Sequence, residues 1–533
     1  MLRTGKQNFI FLIFGLLVLL PALWLMVSSP LYHGYDVLYH VGRIEQFHKA
    51  IIQGQFPPRL APTLFFNNTY PLFIVNYQLP YYFSEIFMII NNNSVFAFKA
   101  VMALSYLLSG VFAFIFFRKT GSNLASLGGT ILWSYLPYRF NLLYFRSAFG
   151  ENLAMMFAPL MMLSLHLISR KNRFGFLLLS ISTFGMISSH TPLFIIFSPF
   201  FLTYIFLVLK PDKKSLFLIF WGTILGIAMS SSQLWPSIIE KKYMKYNEVL
   251  KNVYESQFVN FFQLFRLPKS GVNLGTYLQA GIVTFFVLAI GFLGLVFKFK
   301  KQKLTIFVLL FFSAIATFLV SEQSLWLWKH TSLPQYIIYP WRFISLLIFC
   351  VAILGVYLLD SLNSSKLRLI VVILFIFFSI FTSRHYFLNS GFKQPNQPNP
   401  SLTAYRENDP IWAEDETFKE GQLISIDTTG KISVIKDSPF DISLNAETNQ
   451  ETDLTIRRIY FPGWKVEVDD KQYPMNFSQG FIRIRLKAGD WKIRTYFTET
   501  PIRRISNYLS LISFGLLLIF SIRLFSFKNT TMI

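Results

Sequence analysis

The chain has 533 residues, of which 53% are hydrophobic and only 14% charged, with a mean hydropathy of +0.45. A soluble domain carries about 25% charged residues, so the composition excludes a soluble enzyme and describes a polytopic membrane protein. The net charge of +22 is not a nucleic-acid signal, because its Lys and Arg sit mostly in short loops between apolar segments.

About twelve apolar segments approach the ~20 residues needed to cross a bilayer. They are predicted near 8–28, 98–117, 122–138, 152–169, 174–189, 192–209, 215–235, 280–297, 304–320, 343–360, 367–383 and 505–525. The first is too long for a removable signal peptide, lacks a small-residue cleavage site, and reads as an anchor. The orientation follows from the positive-inside rule. With Arg3 and Lys6 cytoplasmic, alternation places Arg118-Lys119, Arg170-Lys171 with Arg173, and Lys210 with Lys213-Lys214 inside. Lys298, Lys300, Lys301 and Lys303, then Lys366 and Arg368, then Arg523 and Lys528 follow on the same side. The tight outer turn Ser188-Ser189-His190-Thr191 carries no Lys or Arg. The chain is therefore expected to be a multi-pass protein of the cell membrane with both termini cytoplasmic. Segments 29–97, 139–151, 236–279, 321–342 and 384–504 are expected outside.

The first outer segment opens with Tyr35-Asp36-Val37-Leu38-Tyr39-His40-Val41-Gly42-Arg43 and continues to Phe56-Pro57-Pro58-Arg59. Asp36, His40 and Arg43 can lie on one helical face. Ionisable groups at a bilayer surface are expensive to desolvate and usually have a partner or a task. Asp36 reads as a general base, with Glu151 as a second catalytic carboxylate. Arg59, Arg139, Arg146 and Arg342 fall at outer membrane boundaries, where a guanidinium fork suits a phosphate. His40, Arg43 and His190 are further candidates for substrate binding. Each has a plainer alternative. Asp36 also reads as the ion-pair partner of Arg43, and Glu151 as that of Arg146. Arg59 and Arg342 fit headgroup anchors, His40 a packing or capping role, and His190 a structural turn residue. The single Cys350 lies inside a predicted span, so no disulfide supports the outer regions. Nothing matches a P-loop, a zinc spacing or a dinucleotide fingerprint.

Residues 384–412 are rich in Asn, Pro and Gln and read as a linker. From about 420 the hydrophobic period becomes two. Leu423–Ile426 and Lys431–Ile435 flank Thr429-Gly430, a hairpin signal. Phe481–Leu486 alternates and turns at Ala488-Gly489-Asp490 into Trp491–Tyr496. Phe461–Asp470 gives a further strand and turn. The expected domains are a transmembrane module over 1–383, an extracytoplasmic linker and small antiparallel β-sandwich over 384–504, and a final helix with a cytoplasmic tail over 505–533.

The first outer loop resembles that of the YfhO-like and 6-pyruvoyl-tetrahydropterin-synthase-related polytopic membrane proteins. The residues that carry the resemblance are Asp36, His40, Arg43-Ile44, Gly54-Gln55-Phe56-Pro57-Pro58-Arg59, Tyr70-Pro71 and Pro80-Tyr81-Tyr82. Pro137-Tyr138-Arg139, Glu151, His190, Pro340-Trp341-Arg342-Phe343 and Pro462-Gly463-Trp464 extend it over nearly the whole chain. The resemblance implies a GT-C type architecture. It implies a glycosyltransferase that moves a sugar from a polyprenyl-phosphate-linked donor to an envelope acceptor, with its acidic residue in the first outer loop. The residue chemistry agrees, since an outward-facing enzyme has no access to cytoplasmic nucleotide sugars. The expected partners are a lipid-linked sugar donor, membrane lipid, and an envelope glycan or glycolipid acceptor, with no nucleic acid. No cofactor is required, although an Asp/Glu pair is able to hold Mg²⁺ or Mn²⁺ through oxygen ligands. The rival classes are a transporter or flippase of a lipid-linked or envelope precursor, and a non-catalytic glycan-binding scaffold. Against the first, no internal repeat of the kind many carriers show is visible.

Overall fold

Long apolar runs become helices because in lipid only a helix satisfies every backbone group within its own segment. The computed structural model describes residues 2–32, 34–267, 278–297, 302–388 and 401–529. Among these, eight helices are long and apolar enough to cross a membrane. They are Phe9–Ser28, Ser94–Phe117, Phe149–Ser169, Phe174–Leu209, Lys303–Val320, Pro340–Asp360, Ser365–Arg384 and Pro501–Leu524. A ninth is reached if Lys213–Met229 and Ser231–Tyr243, bent by 69° at their junction, count as one span. The expected twelve is not confirmed. The segment foreseen at 122–138 is a helix of only 13 residues, Asn123–Tyr135, and that at 280–297 is 16 residues, Ile282–Phe297. Thirteen residues rise about 20 Å, well short of a ~30 Å hydrocarbon core. Asn123–Tyr135 is instead enclosed by other helices, with eleven of its residues buried.

The two arms expected at 174–189 and 192–209 form one helical element with a break at His190, where φ is −164° and ψ is 86°. A straight helix of 36 residues would hold its ends about 54 Å apart. Here both ends meet the same place. Lys171 Nζ lies 3.7 Å from Asp212 Oδ2, and Ser215 Oγ donates to the Ile168 carbonyl at 3.1 Å. Tyr204 Oη lies 3.5 Å from His166 Nε2. The chain therefore reverses at His190, and Pro192 stands at the start of the second arm, where its missing N–H costs nothing. The short basic loops gather at this same end. Arg170 donates to the Lys119 carbonyl at 3.1 Å, and Arg368 donates to Ser122 Oγ at 2.7 Å. Lys298, Lys300 and Lys301 lie outside the described residues.

The opposite end carries the β domain. Its strands are β1 (Ile424–Ile426), β2 (Gly430–Ser438), β3 (Asp441–Thr448), β4 (Thr452–Ile459), β5 (Trp464–Val468), β6 (Lys471–Gln472), β7 (Phe481–Leu486) and β8 (Gly489–Phe497). They form two antiparallel sheets, ordered β1-β4-β7 and β2-β3-β8-β5-β6. Alternate residues such as Leu444, Ile456, Val466, Ile484 and Ile493 meet between the sheets. The expected sandwich is present, but its connections differ from expectation in two places. Thr429-Gly430 does not close a hairpin: β1 pairs with β4, and β2 pairs with β3. Ala488-Gly489-Asp490 likewise carries the chain from one sheet to the other. Burial decides this, because Ile424 must face the core while β2 is exposed along most of its length. The β5–β6 hairpin turns at Asp469-Asp470, both with positive φ, as a two-residue primed turn requires.

Two helices precede this domain in the first outer segment, Val37–Ile52 and Leu79–Asn91. The loop between them is sewn to the β domain. Arg458 Nη1 donates to the Asn67 carbonyl at 2.5 Å, and Ile459 N donates to the Asn68 carbonyl at 2.7 Å. The expected linker 384–412 is a spacer only in name. Residues 389–400 lie outside the described residues, but 401–412 is packed in place. Tyr70 donates to Asp409 Oδ1 at 2.8 Å, and Asn408 donates to the Leu72 carbonyl at 3.1 Å.

Candidate active-site cavity

Helix Val37–Ile52 is amphipathic, with His40, Arg43 and Phe47 turned inward while Glu45 and Lys49 pair on its outer side. Just before it, the chain lies against the segment that ends at Arg146. Tyr35 N donates to the Phe145 carbonyl at 2.7 Å and Asp36 N to the Arg146 carbonyl at 2.9 Å. Gly34 permits this approach: a Cβ there would fall 2.0 Å from Ser147 Oγ and 2.8 Å from the Tyr144 carbonyl. The backbone contact sets the ion pairing. Asp36 meets Arg146, at 3.3 Å, and not the Arg43 suggested by helical spacing. Arg146 also reaches Glu151, at 3.4 Å, so one guanidinium bridges two carboxylates. Glu151 is fully enclosed and accepts a second hydrogen bond from the Tyr138 hydroxyl at 2.6 Å.

Asp36, His40, Arg43, Arg146, His190 and Arg342 line one cavity of about 420 Å³. They come from four separated stretches of chain. The backbone after Ile337 and the ring pair Tyr339–Trp341, stacked at 4.9 Å, form a shelf beneath two guanidinium groups. Arg146 lies 4.1 Å above the Trp341 ring and Arg342 4.8 Å above that of Tyr339. Cation–π contacts of this kind contribute about 0.5–2 kcal/mol each and hold two like charges at fixed positions. Arg342 also donates to the Ile337 carbonyl at 2.5 Å. Arg43 Nε donates to the Leu402 carbonyl at 2.8 Å, which ties the 401–412 segment over the cavity.

The electrostatics favour an anionic guest. Arg43, Arg146, Arg342 and Lys241 face the cavity against the carboxylates Asp36 and Glu407. Loss of water raises the Asp36 carboxyl above its ordinary range, although Arg146, Arg43 and Arg342 pull it back. Burial, with Arg43 and Arg146 nearby, holds His40 well below its usual pKa, so its ring is neutral. Its Nδ1 lies 3.1 Å from the Tyr81 hydroxyl. His190, at the helix reversal, is 5% exposed, and its Nδ1 has no hydrogen-bond partner among the described residues. Among those residues no three His, Cys, Asp or Glu side chains gather as a metal site.

Three candidates do not line the cavity. Arg59 is completely buried and held by Glu499 at 2.9 Å, the Ser232 carbonyl at 2.9 Å and Asn507 at 3.0 Å. It joins the first outer segment to the final helix and does not line the cavity, so it does not converge with Arg342. Arg139 is buried between the rings of Tyr106 and Trp133, 5.5 and 5.2 Å away, and also lies off the cavity. Glu151 touches Arg146 but not the cavity wall. Sequence reasoning missed Lys241, Tyr339, Tyr405 and Glu407, which all line it. The one available signal was the charged run Tyr405-Arg406-Glu407-Asn408-Asp409 at the end of a stretch rich in Asn, Pro and Gln.

A family model described as 6-pyruvoyl-tetrahydropterin synthase related domain, membrane protein, matches residues 75–390. No curated protein matches the chain in sequence. Among solved structures, the apo oligosaccharyltransferase of Archaeoglobus fulgidus is 13% identical with a TM-score of 0.47, over 73% of this chain and 57% of that one. Arabinofuranosyltransferase AftD from Mycobacteria is 12% identical with a TM-score of 0.44, over 73% of this chain and 27% of that one. The chain thus spans less than two thirds of either, and likenesses this weak carry no argument about its chemistry.

Proposed function

Because the chain belongs to the 6-pyruvoyl-tetrahydropterin synthase related family of membrane proteins, we propose that its cavity acts on a lipid-linked substrate at the membrane surface. The reading is a GT-C type glycosyltransferase that moves a sugar from a polyprenyl-phosphate-linked donor to an envelope glycan or glycolipid. One observation carries it: Asp36 stands in a single cavity with three guanidinium groups, and span residues Ile195 and Ile238 form part of the wall. Such a cavity suits a guest with an anionic head, a polar body and an apolar tail. The basic loops at the far end favour an extracytoplasmic cavity and β domain, with both termini cytoplasmic.

In this scheme the acceptor hydroxyl gives its proton to the Asp36 carboxylate as its oxygen bonds to the anomeric carbon. The bond from that carbon to the phosphate oxygen breaks, and polyprenyl phosphate leaves with the electron pair. Arg43 and Arg342 hold the growing phosphate charge from positions fixed before the reaction. Arg146, fixed between Asp36 and Glu151, orients the base.

The test is transfer by purified protein in membranes, from a panel of labelled lipid-linked sugars. Asp36→Asn keeps the size of the side chain and removes its charge. It is expected to accumulate normally and to abolish transfer. A variant that kept most of its activity would remove Asp36 as the base, and no transfer by the parent protein from any donor would sink the reading.

A further inference from the structure

A second cavity lies along the same helix arm that His190 begins. It measures about 490 Å³, and its walls are almost wholly apolar, including Phe194, Leu202, Ile205, Leu216, Ile219 and Phe220. It lies between the second arm of the Phe174–Leu209 element and helix Lys213–Met229. It adjoins the basic cavity. Thr191 and Ile195 line the first, and Phe194, Ser198, Leu202 and Phe206 line the second. Residues 191, 195, 198, 202 and 206 recur at spacings of three and four, which puts them on one face of the arm. On the opposite wall the 69° bend at Ser230 separates Phe220 and Thr223, in the apolar cleft, from Leu234 and Ile238, in the basic cavity. Leu202, Phe206 and Phe220 are all more than half exposed, so the cleft is open toward lipid.

The head of this groove is polar. The arm begins after His190, which lines the cavity and whose buried Nδ1 has no hydrogen-bond partner among the described residues. The first amides of a helix lack partners within it, and the helix dipole there favours an anion. Arg342 and Arg146 act electrostatically on the His190 ring from the same cavity.

We infer that residues 190–206 form the seat of one polyprenyl phosphate. Its phosphate lies at the first turn of the arm beside His190, and its isoprenoid chain runs down the apolar cleft. The inference rests on the reading of the cavity as a donor-phosphate site, and it deepens that reading by naming the path of the lipid. The occupant is a single-chain phosphate, not a two-chain phospholipid, because the basic pocket is followed along this face of the arm by one narrow run of apolar side chains. From Ile195 to Phe206 the arm rises about 17 Å, so the cleft engages only the head-proximal part of a long chain.

The experiment measures binding, without any sugar, of a long-chain polyprenyl phosphate and of a two-isoprene phosphate to the full chain in nanodiscs. Ser198→Trp and Leu202→Trp fill the cleft from half-buried and exposed positions respectively, and His190→Gln alters the head. The cleft variants are expected to weaken the long-chain ligand about tenfold or more and to leave the short one nearly unchanged. His190→Gln keeps an N–H donor but moves it from the ring position, and is expected to weaken both ligands alike, by up to about tenfold. Thermal unfolding establishes that each variant is folded, and agreement of the two Trp variants guards against a local distortion in one. Unchanged long-chain affinity in both Trp variants overturns the proposal and leaves the cleft to bulk lipid. Equal displacement of the ligand by phosphatidylglycerol overturns it as well. The outcome is separable from that of the transferase reading. If polyprenyl phosphate binds as expected while no sugar moves, that reading fails and the seat stands. If sugar moves and the Trp variants are indifferent to chain length, the seat fails and that reading stands.

Discussion

Replacing Arg146 by Met should expose how the cavity is held together. Arg146 lies between Asp36, at 3.3 Å, and Glu151, at 3.4 Å. The two carboxylates stand in different surroundings. A fifth of the Asp36 side chain is exposed, but only 1% of that of Glu151. Removing the guanidinium lets Asp36 turn to water, while Glu151 is left with the Tyr138 hydroxyl as its hydrogen-bond donor. Breaking a buried pair by removing one partner costs roughly 3–5 kcal/mol, chiefly through the stranded charge. Most of that loss should therefore belong to Glu151. Glu151→Gln in the Arg146→Met background removes the stranded charge and keeps an oxygen for Tyr138, so it should recover most of the stability. Transfer should stay absent in the double variant, because Asp36 still lacks the group that orients it. The measurement is equilibrium unfolding of the four proteins of the cycle in one detergent, with transfer assayed on each. If Glu151→Gln restored no stability to Arg146→Met, the bridging account of this site would be wrong.

The remaining predictions address the base, the latch, the close approach and the orientation. Since burial raises the Asp36 carboxyl above its ordinary 3.8, the proton-accepting form is lost at a higher pH than for a solvated Asp. The acidic limb of kcat/KM, which reports the free enzyme, should lie above that value, and Arg43→Met, by removing a neighbouring cation, should move it higher still; a limb that stayed in place would exclude the coupling. The sign for stability is the reverse, because the site tolerates the neutral acid: this contribution is present at low pH and is lost as pH rises through the raised pKa. Arg59→Met should cost about 1–3 kcal/mol of stability by leaving the Ser232 carbonyl and Asn507 without their donor, since Glu499 is 23% exposed and keeps Arg503 at 3.9 Å, yet leave donor affinity unchanged in the folded fraction, as titration of the donor against that variant would reveal. Gly34→Ala should reduce transfer at least as severely as it reduces accumulation, since its Cβ meets Ser147 Oγ at 2.0 Å and pushes Asp36 from Arg146; normal kcat in this variant would argue against the pairing. Cysteines placed at Ser433, exposed on β2, and Ser364, in a basic-end loop, should react oppositely with an impermeant thiol reagent on intact cells. Labelling at Ser364 alone would invert the topology, and the buried Cys350 supplies no background.

Composition and periodicity by themselves determined the class of this protein. A membrane chain needs ~20 apolar residues per crossing and cannot hide them, so the long helices and the basic loops were legible one segment at a time. The period of two likewise marked the β sandwich, because alternate residues must bury. The reversal at His190 was legible for the same local reason, as a polar, proline-flanked break in an apolar run. What tertiary structure decided were the partners. Helical spacing offered Arg43 to Asp36, but backbone pairing of residues 34–36 with 144–147 delivered Arg146. Arg59 and Arg342 look alike in sequence, each beside proline or an aromatic ring at a predicted boundary. One is locked to Glu499 and Asn507 of the final segment, more than 400 positions away, and the other stands on an aromatic shelf in the cavity. Glu407 and Tyr405 reach the site only because Leu402 is held by Arg43 and Asp409 by Tyr70. Hydrophobic burial is written in local composition and so can be read along the chain. Charge pairing depends on which distant segments the fold brings within ~3 Å, and no local pattern encodes that distance.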